Sequence, residues 1–166
     1  MNFSEPVIAE LKHEAATTRR LLERVPQDAL QWQPHEKSMT LGRLAAHLAT
    51  LPRLLVAALT LDEYDTNDLK AHSPSTESVS SILEAFDKNI AEALESLKTL
   101  SEERLLTLWR YRNGEQVLFE MPRLAVIRFV VLNHIVHHRG QLSVYLRLRD
   151  VPLPSVYGPT ADESPF

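Results

Sequence analysis

The feature that most constrains the fold is the segment 122–149, PRLAVIRFVVLNHIVHHRGQLSVYLRLR, whose apolar residues recur with the period of an α-helix. Residues three or four positions apart lie on the same side of a helix, so this period predicts one long amphipathic helix. Two histidines are expected at the centre of its inner face. That predicted face consists of Ile127, Val130, Val131, His134, His138, Gln141, Tyr145 and Leu148.

The two central histidines, His134 and His138, are four residues apart. This spacing places their imidazole rings on consecutive turns, from which two nitrogen atoms can reach one metal ion. Two ligands alone do not define a metal site, and a pair of core histidines hydrogen-bonded to neighbours explains the same spacing. His137 is an alternative to His138, because it lies three residues from His134.

A third candidate ligand comes from another predicted helix, which follows the N-cap residue Thr40 and carries leucines at helical spacing. His47 lies at the edge of the leucine face, from where its ring can turn toward the interior of a bundle. Pro52 lies inside this helix and lacks a backbone N–H, so we expect a bend just after His47. Three neutral imidazoles from two helices leave a divalent transition metal with open coordination positions, as in reactive metal sites.

Two further helices complete the predicted bundle. The first has Ser4 as its N-cap, with Phe3 and Ile8 as a hydrophobic staple. The third begins at Ser75 or Thr76 and carries no candidate ligand on its inner face. The segment 61–75 is polar and without period, so we expect a long loop that allows the second and third helices to run parallel.

Two glycines indicate local features. Asn113-Gly114 lies between β-forming residues, which predicts a small type I′ hairpin. Gly140 is the only glycine of the last helix, and a glycine within a helix is expected where another backbone approaches closely.

The last helix also carries a second apolar ridge, on the side away from its histidines, formed by Ala125, Phe129, Leu132 and Val136. A helix that is apolar on both sides is expected to be covered on both sides. A two-fold homodimer is one way to cover the ridge, and the hairpin or the proline-rich tail from residue 151 onward is the alternative.

Composition favours one soluble globular domain over residues 1–166, because 44% of the residues are hydrophobic and 24% are charged. The net charge of −4 and the dispersed basic residues argue against a nucleic-acid partner. We expect no membrane span and no signal peptide, and therefore a cytoplasmic protein. Because the chain has no cysteine, a metal must be held by His, Asp or Glu, and any reacting thiol must come from a substrate.

Three segments, LQWQPHEKSMTLGRLAAHLATLP, NHIVHHRGQLSVYLR and VPLPSVYGPTADE, together resemble the DinB family of damage-inducible, YfiT-like proteins. The resemblance covers nearly the whole chain. It implies an all-α fold, a four-helix bundle of up-down-down-up topology. It also implies a divalent metal such as zinc or nickel, with ligands that match His47, His134 and His138 of this chain, and it makes His137 a residue beside the ligands.

The resemblance further implies chemistry with a small-molecule thiol and an electrophilic substrate, since better understood relatives act as thiol-dependent transferases and isomerases. The chain offers Gln141 and Tyr145 as hydrogen-bonding groups beside the ligands. Its tail acids, Asp162 and Glu163, are candidates for a general base. The alternative is a non-catalytic, metal-binding bundle that acts as a stress-related dimer.

Overall fold

A computed structural model describes residues 4–164, so the predicted staple residue Phe3 lies outside the described residues. The chain is mostly helical. The helices are α1 (Ser4–Leu22), α2 (Leu41–Thr50), α3 (Pro52–Thr60), α4 (Thr66–Ala71), α5 (Val79–Lys98), α6 (Glu102–Leu106), α7 (Arg123–Ala125) and α8 (Asn133–Arg147), with a 3-10 turn at Gln27–Ala29 and a π-helical segment at Val126–Leu132. The strands are β1 (Glu63–Asp65), β2 (Leu108–Asn113) and β3 (Gln116–Pro122).

The core forms where the long helices meet. Helix α5 packs against α1, α2 and α3, and α8 packs against α1 and α2. Leu44, Leu48, Phe86 and Leu142 are fully buried at these contacts. Within residues 4–164, no helix combines the length and the apolar character that a membrane span needs. The up-down-down-up order of a four-helix bundle stays a prediction.

The prediction of an all-α fold misses a three-stranded sheet. Strands β2 and β3 form the predicted hairpin, but Asn113 pairs with Gln116, so the loop residues are Gly114 and Glu115. Gly114 has a φ of 59°, whereas Glu115 is not among the residues with positive φ. This combination is typical of a type II′ turn, because a type I′ turn requires positive φ at both loop residues. The predicted type I′ turn is therefore wrong.

The predicted loop at 61–75 contains regular structure. Residues 63–65 pair in parallel with β2, as Glu63 with Arg110 and Asp65 with Arg112. The Asp65 carboxylate then caps α4 by accepting a hydrogen bond from the Asn67 backbone N–H at 2.9 Å. A parallel pairing with a strand more than forty residues away leaves no local periodic signal, which is why the sequence pattern did not indicate it.

Helix α5 begins later than predicted, at Val79 instead of Ser75 or Thr76. The Ser78 hydroxyl accepts from the Ser81 N–H and acts as the N-cap. The side-chain amide of Gln27 donates to the carbonyl of Glu77 and accepts from the N–H of Val79. The Gln27 side chain thus occupies backbone groups of Glu77 and Val79 that would otherwise need partners within the helix. The first helical turn therefore forms only after residue 78.

The sequence predicts a bend just after His47, and close to this point the predicted second helix is divided in two, because α2 ends at Thr50 and α3 begins at Pro52. Leu51 between them keeps helical backbone angles, with a φ of −53° and a ψ of −38°. Proline fits the first position of a helix, where its missing N–H would have no intrahelical partner. The break comes one turn after His47, whose carbonyl still accepts from the Leu51 N–H at 3.1 Å. His47 therefore lies on an intact turn.

The inner face of the last helix is only partly the predicted one, because Ile127, Val131 and His138 are buried as expected, whereas the buried line within α8 is shifted. The most buried residues of α8 are Ile135, Arg139, Leu142 and Leu146, while His134 and His138 lie on the flank of this line. Ile135, Leu142 and Leu146 were absent from the predicted inner face, and Gln141 and Leu148 of that face are exposed. A π-helical turn is wider than an α-turn, so the segment at Val126–Leu132 changes the phase of the period.

The predicted apolar ridge of this helix is also split. Leu132 is buried in the core, whereas Phe129 is 65% exposed. The four ridge residues therefore do not form one continuous surface.

A buried ion pair holds α8 to α1. Nη1 of Arg139 lies 2.6 Å from Oε2 of Glu14, and both side chains are buried. The Tyr157 hydroxyl, from the tail, donates to the same carboxylate at 2.8 Å and accepts from Arg139. Because Arg139 follows His138 directly, this network fixes the turn of α8 that carries the histidines.

The close approach of another backbone occurs at Gly42 and not at Gly140. A Cβ atom at Gly42 would lie 2.3 Å from the carbonyl oxygen of Thr76, whereas one at Gly140 would meet nothing within 4 Å. The absence of a side chain at Gly42 lets the segment before α5 pass across the start of α2.

Candidate metal centre

Three imidazole rings meet between α2 and α8. Nε2 of His134 lies 3.4 Å from Nε2 of His47 and 2.8 Å from Nε2 of His138. One ligand nitrogen of each histidine lies within 4.8 Å of the other two. Two nitrogens bonded to one zinc ion are roughly 3.3 Å apart, given tetrahedral bonds of about 2.0 to 2.1 Å. The cluster therefore has the dimensions of a single metal site after small side-chain adjustments.

Helix geometry explains how the sequence builds this cluster. The spacing of His134 and His138 places their rings on one side of α8, with ring centroids 4.6 Å apart. His47 reaches them from α2, which the Thr40 hydroxyl caps by accepting from the Arg43 N–H at 3.2 Å. The packing of α2 against α8 then brings the third ring to the other two.

Gln141 orients one of the three rings. Its side-chain oxygen lies 2.7 Å from Nδ1 of His138. An amide oxygen only accepts hydrogen bonds, so Nδ1 carries the proton and Nε2 keeps its lone pair for a ligand. A hydrogen bond of this kind to the outer nitrogen is the usual support of a metal-binding histidine. The sequence singled out Gln141 as a group beside the ligands, and this contact agrees with that role.

The environment keeps the three rings neutral. Burial, followed by the charges of His138, His134 and Arg43, lowers the pKa of His47 to about 4. Burial is also the largest cause of the lowered pKa values of His134 and His138. Neutral imidazole is the form that binds a metal, so at neutral pH no proton has to be displaced. Three neutral nitrogen donors suit zinc or nickel better than magnesium or calcium, which prefer oxygen.

The other candidate residues lie outside the cluster. His137 is exposed, and its ring contacts that of His138 at a centroid distance of 4.8 Å. Tyr145 packs edge-on against Trp32 at 5.8 Å. Of the two tail acids, Asp162 pairs with Arg147 and Glu163 with Arg20. The structure therefore gives these acids a role in holding the tail, and the prediction that one of them supplies a general base has no support from geometry.

A cleft of about 680 Å³ adjoins the cluster, with His47 in its wall. Arg43 and Lys70 also line it, and the sequence-based reasoning missed both. Arg43 lies four residues before His47 on α2, so its position on the same side of that helix was available from spacing alone. Lys70 belongs to α4, in a segment without periodicity, and no sequence pattern indicated it.

Comparison with known proteins relates nearly the whole chain to one protein family. The model of the DinB family matches residues 1–165. The protein YrdA of Bacillus subtilis strain 168 is 28% identical over 154 residues, which cover 90% of this chain and 85% of YrdA.

Solved structures share the fold. A crystal structure of a DinB-like protein from Bacillus cereus ATCC 10987 superposes with a TM-score of 0.73 at 23% identity, covering 92% of this chain and 97% of the other. The DinB-like protein YjoA from Bacillus subtilis gives a TM-score of 0.69 at 17% identity, covering 95% and 98%. A DinB-family member from Exiguobacterium sibiricum 255-15 gives 0.67 at 15% identity, covering 98% and 97%. At these identities the likeness concerns the fold alone.

Proposed function

We propose that this chain, which belongs to the DinB family, is a metal-dependent enzyme that uses a small-molecule thiol to modify an electrophilic substrate. The observation that carries the proposal is the convergence of three neutral imidazoles, those of His47, His134 and His138, beside an open cleft. These residues would hold a divalent metal, zinc or nickel, with no thiolate or carboxylate from the cluster itself. A four-helix bundle of up-down-down-up topology is part of the proposal.

The chain's own residues would prepare such a site in two ways. Gln141 holds the His138 ring with its Nε2 lone pair toward the other rings. The buried Glu14–Arg139 pair keeps the same turn of α8 in place. A divalent metal bound to the three histidines would supply Lewis-acid chemistry, which lowers the pKa of a thiol or water ligand. A thiol from solution is required because the chain has no cysteine.

Cobalt substitution tests the thiol. The cobalt-loaded protein, titrated with cysteine, glutathione or 2-mercaptoethanol, is expected to develop a sulfur-to-cobalt charge-transfer band, because three protein ligands leave coordination positions open. The His134→Ala/His138→Ala variant with the same added cobalt is the control and should show no such band. An unchanged spectrum of the wild-type protein with all three thiols would contradict thiol chemistry at this site.

One observation favours a second function, a metal-binding protein without turnover. The tail acids Asp162 and Glu163 form ion pairs with Arg147 and Arg20. Neither pair involves a histidine of the cluster, so neither acid is positioned as a general base there. A protein that retains metal, gives no cobalt band and conjugates none of the three thiols to an electrophile would act in this second way.

We also propose a homodimer in which Phe129 contacts a second copy. Its 65% exposure means that the hairpin and the described part of the tail do not cover it, and burying a phenylalanine contributes about 1.5 to 3 kcal/mol. Phe129→Glu is therefore expected to give a folded monomer by light scattering, with unchanged metal content. The matched control is Val144→Glu, at an exposed apolar position of α8, the helix that follows the π-helical segment with Phe129. A wild-type protein that is monomeric at high micromolar concentration would rule out the dimer.

A further inference from the structure

The cleft beside His47 has the size of a site for a small organic molecule. Its volume of about 680 Å³ falls within the range of roughly 300 to 1,000 Å³ that is usual for such sites. Its wall combines residues of α2 and α4 with residues of the hairpin. Three elements distant in sequence therefore enclose a space that opens next to the histidine cluster.

The charges that line this cleft are all positive. Arg43 comes from α2 and Lys70 from α4, and no Asp or Glu is among the described lining residues. Neither side chain forms an ion pair with any residue in 4–164, although most other arginines of that range do. The chain has a net charge of −4, so two unpaired cations at one cleft are a local departure from its overall charge.

The remaining wall is partly apolar. Met39, Leu69 and Leu118 contribute hydrocarbon surface to the cleft. A ligand that fits both parts of the wall has an apolar body and an anionic group. The guanidinium of Arg43 can hold such a group by paired hydrogen bonds, and Lys70 adds a second charge.

We propose that this cleft binds a small organic anion, with its carboxylate or phosphate group at Arg43 and Lys70 and its apolar body against Met39, Leu69 and Leu118. The ligand would lie next to His47 and so within reach of the proposed metal centre. The inference rests on the proposed function for what happens to the ligand, whereas the preference for an anion rests on the cleft alone.

The test compares three thiol-free probes of similar shape on the protein as purified, by calorimetric titration: 3-phenylpropionate, 2-phenylethyl phosphate and the neutral 3-phenylpropanamide. At least one anionic probe is expected to bind about tenfold more tightly than the amide, which corresponds to about 1.4 kcal/mol. The tighter of the two anions identifies the preferred group.

Variants that lack the positive charges of the cleft show whether Arg43 and Lys70 cause the preference for the anionic probe. In Arg43→Gln/Lys70→Gln the preference for the anion should fall to less than about twofold, because the charge-assisted contacts are lost. The control is Lys12→Gln/Lys98→Gln, which removes the same net charge at exposed positions outside the cleft and should keep the preference. Equal affinity for anion and amide in the wild-type protein would overturn the proposal. A preference that survives in Arg43→Gln/Lys70→Gln, or no saturable binding of any probe at millimolar concentration, would overturn it as well.

Metal content measured on the same samples separates this inference from the proposed function. A metal-loaded protein without anion preference refutes the inference alone. A protein that prefers the anion but contains no metal refutes the proposed function alone.

Discussion

Replacing His134 and His138 together by alanine is expected to lower the metal content of the purified protein by more than about tenfold. The two residues supply two of the three nitrogens that lie within 4.8 Å of one another, and His47 by itself cannot hold an ion in competition with water. Metal analysis of protein purified without a histidine tag gives the measurement. A circular dichroism spectrum that matches the wild type shows that the variant has folded.

His137→Ala is the matched control, because this histidine is exposed and lies outside the cluster although it neighbours His138. It should keep the metal content of the wild type. If His137→Ala lost the metal while His138→Ala retained it, the wrong member of the pair would have been assigned. Full metal content in His134→Ala/His138→Ala would refute the site itself.

Replacing Arg139 by methionine is expected to lower the free energy of unfolding by about 3 to 5 kcal/mol. Arg139 is 2% exposed and Glu14 is 6% exposed, so the substitution leaves a buried carboxylate without its cation. The Tyr157 hydroxyl still donates to that carboxylate, but a neutral hydrogen bond does not replace the lost charge. Equilibrium unfolding in urea, followed by circular dichroism, measures the change.

Two further variants show whether the uncompensated charge of Glu14 causes the loss of stability in Arg139→Met. Glu14→Met/Arg139→Met removes both charges and should be more stable than Arg139→Met alone, since no uncompensated ion remains. Arg128→Met removes one partner of the exposed Arg128–Glu10 pair, which joins the π-helical segment to α1, and should change the free energy of unfolding by less than about 1 kcal/mol. If Arg139→Met were as mild as Arg128→Met, the buried pair would not stabilise the fold.

The sequence by itself determined those features of the site that follow from residue spacing within a single helix. The spacing of His134 and His138, and the position of Gln141 three residues after His138, follow from the helical period and hold in the structure. The histidine of the second helix could also be chosen, because only His47 lies at the edge of its leucine face. The break at Pro52 follows from the missing N–H of proline.

Only the tertiary structure decided the features that join distant segments. Strand β1 forms because it pairs with β2, and Arg139 is buried because Glu14 of α1 and Tyr157 of the tail lie opposite it. The cleft with Arg43 and Lys70 exists because α2, α4 and the hairpin come together there. The π-helical segment at Val126–Leu132 shifts the phase of the helical period, so Leu132 is buried and the buried line within α8 differs from the predicted face. A period read along one segment cannot show such pairings, because their free energy comes from contacts with residues far away in the chain.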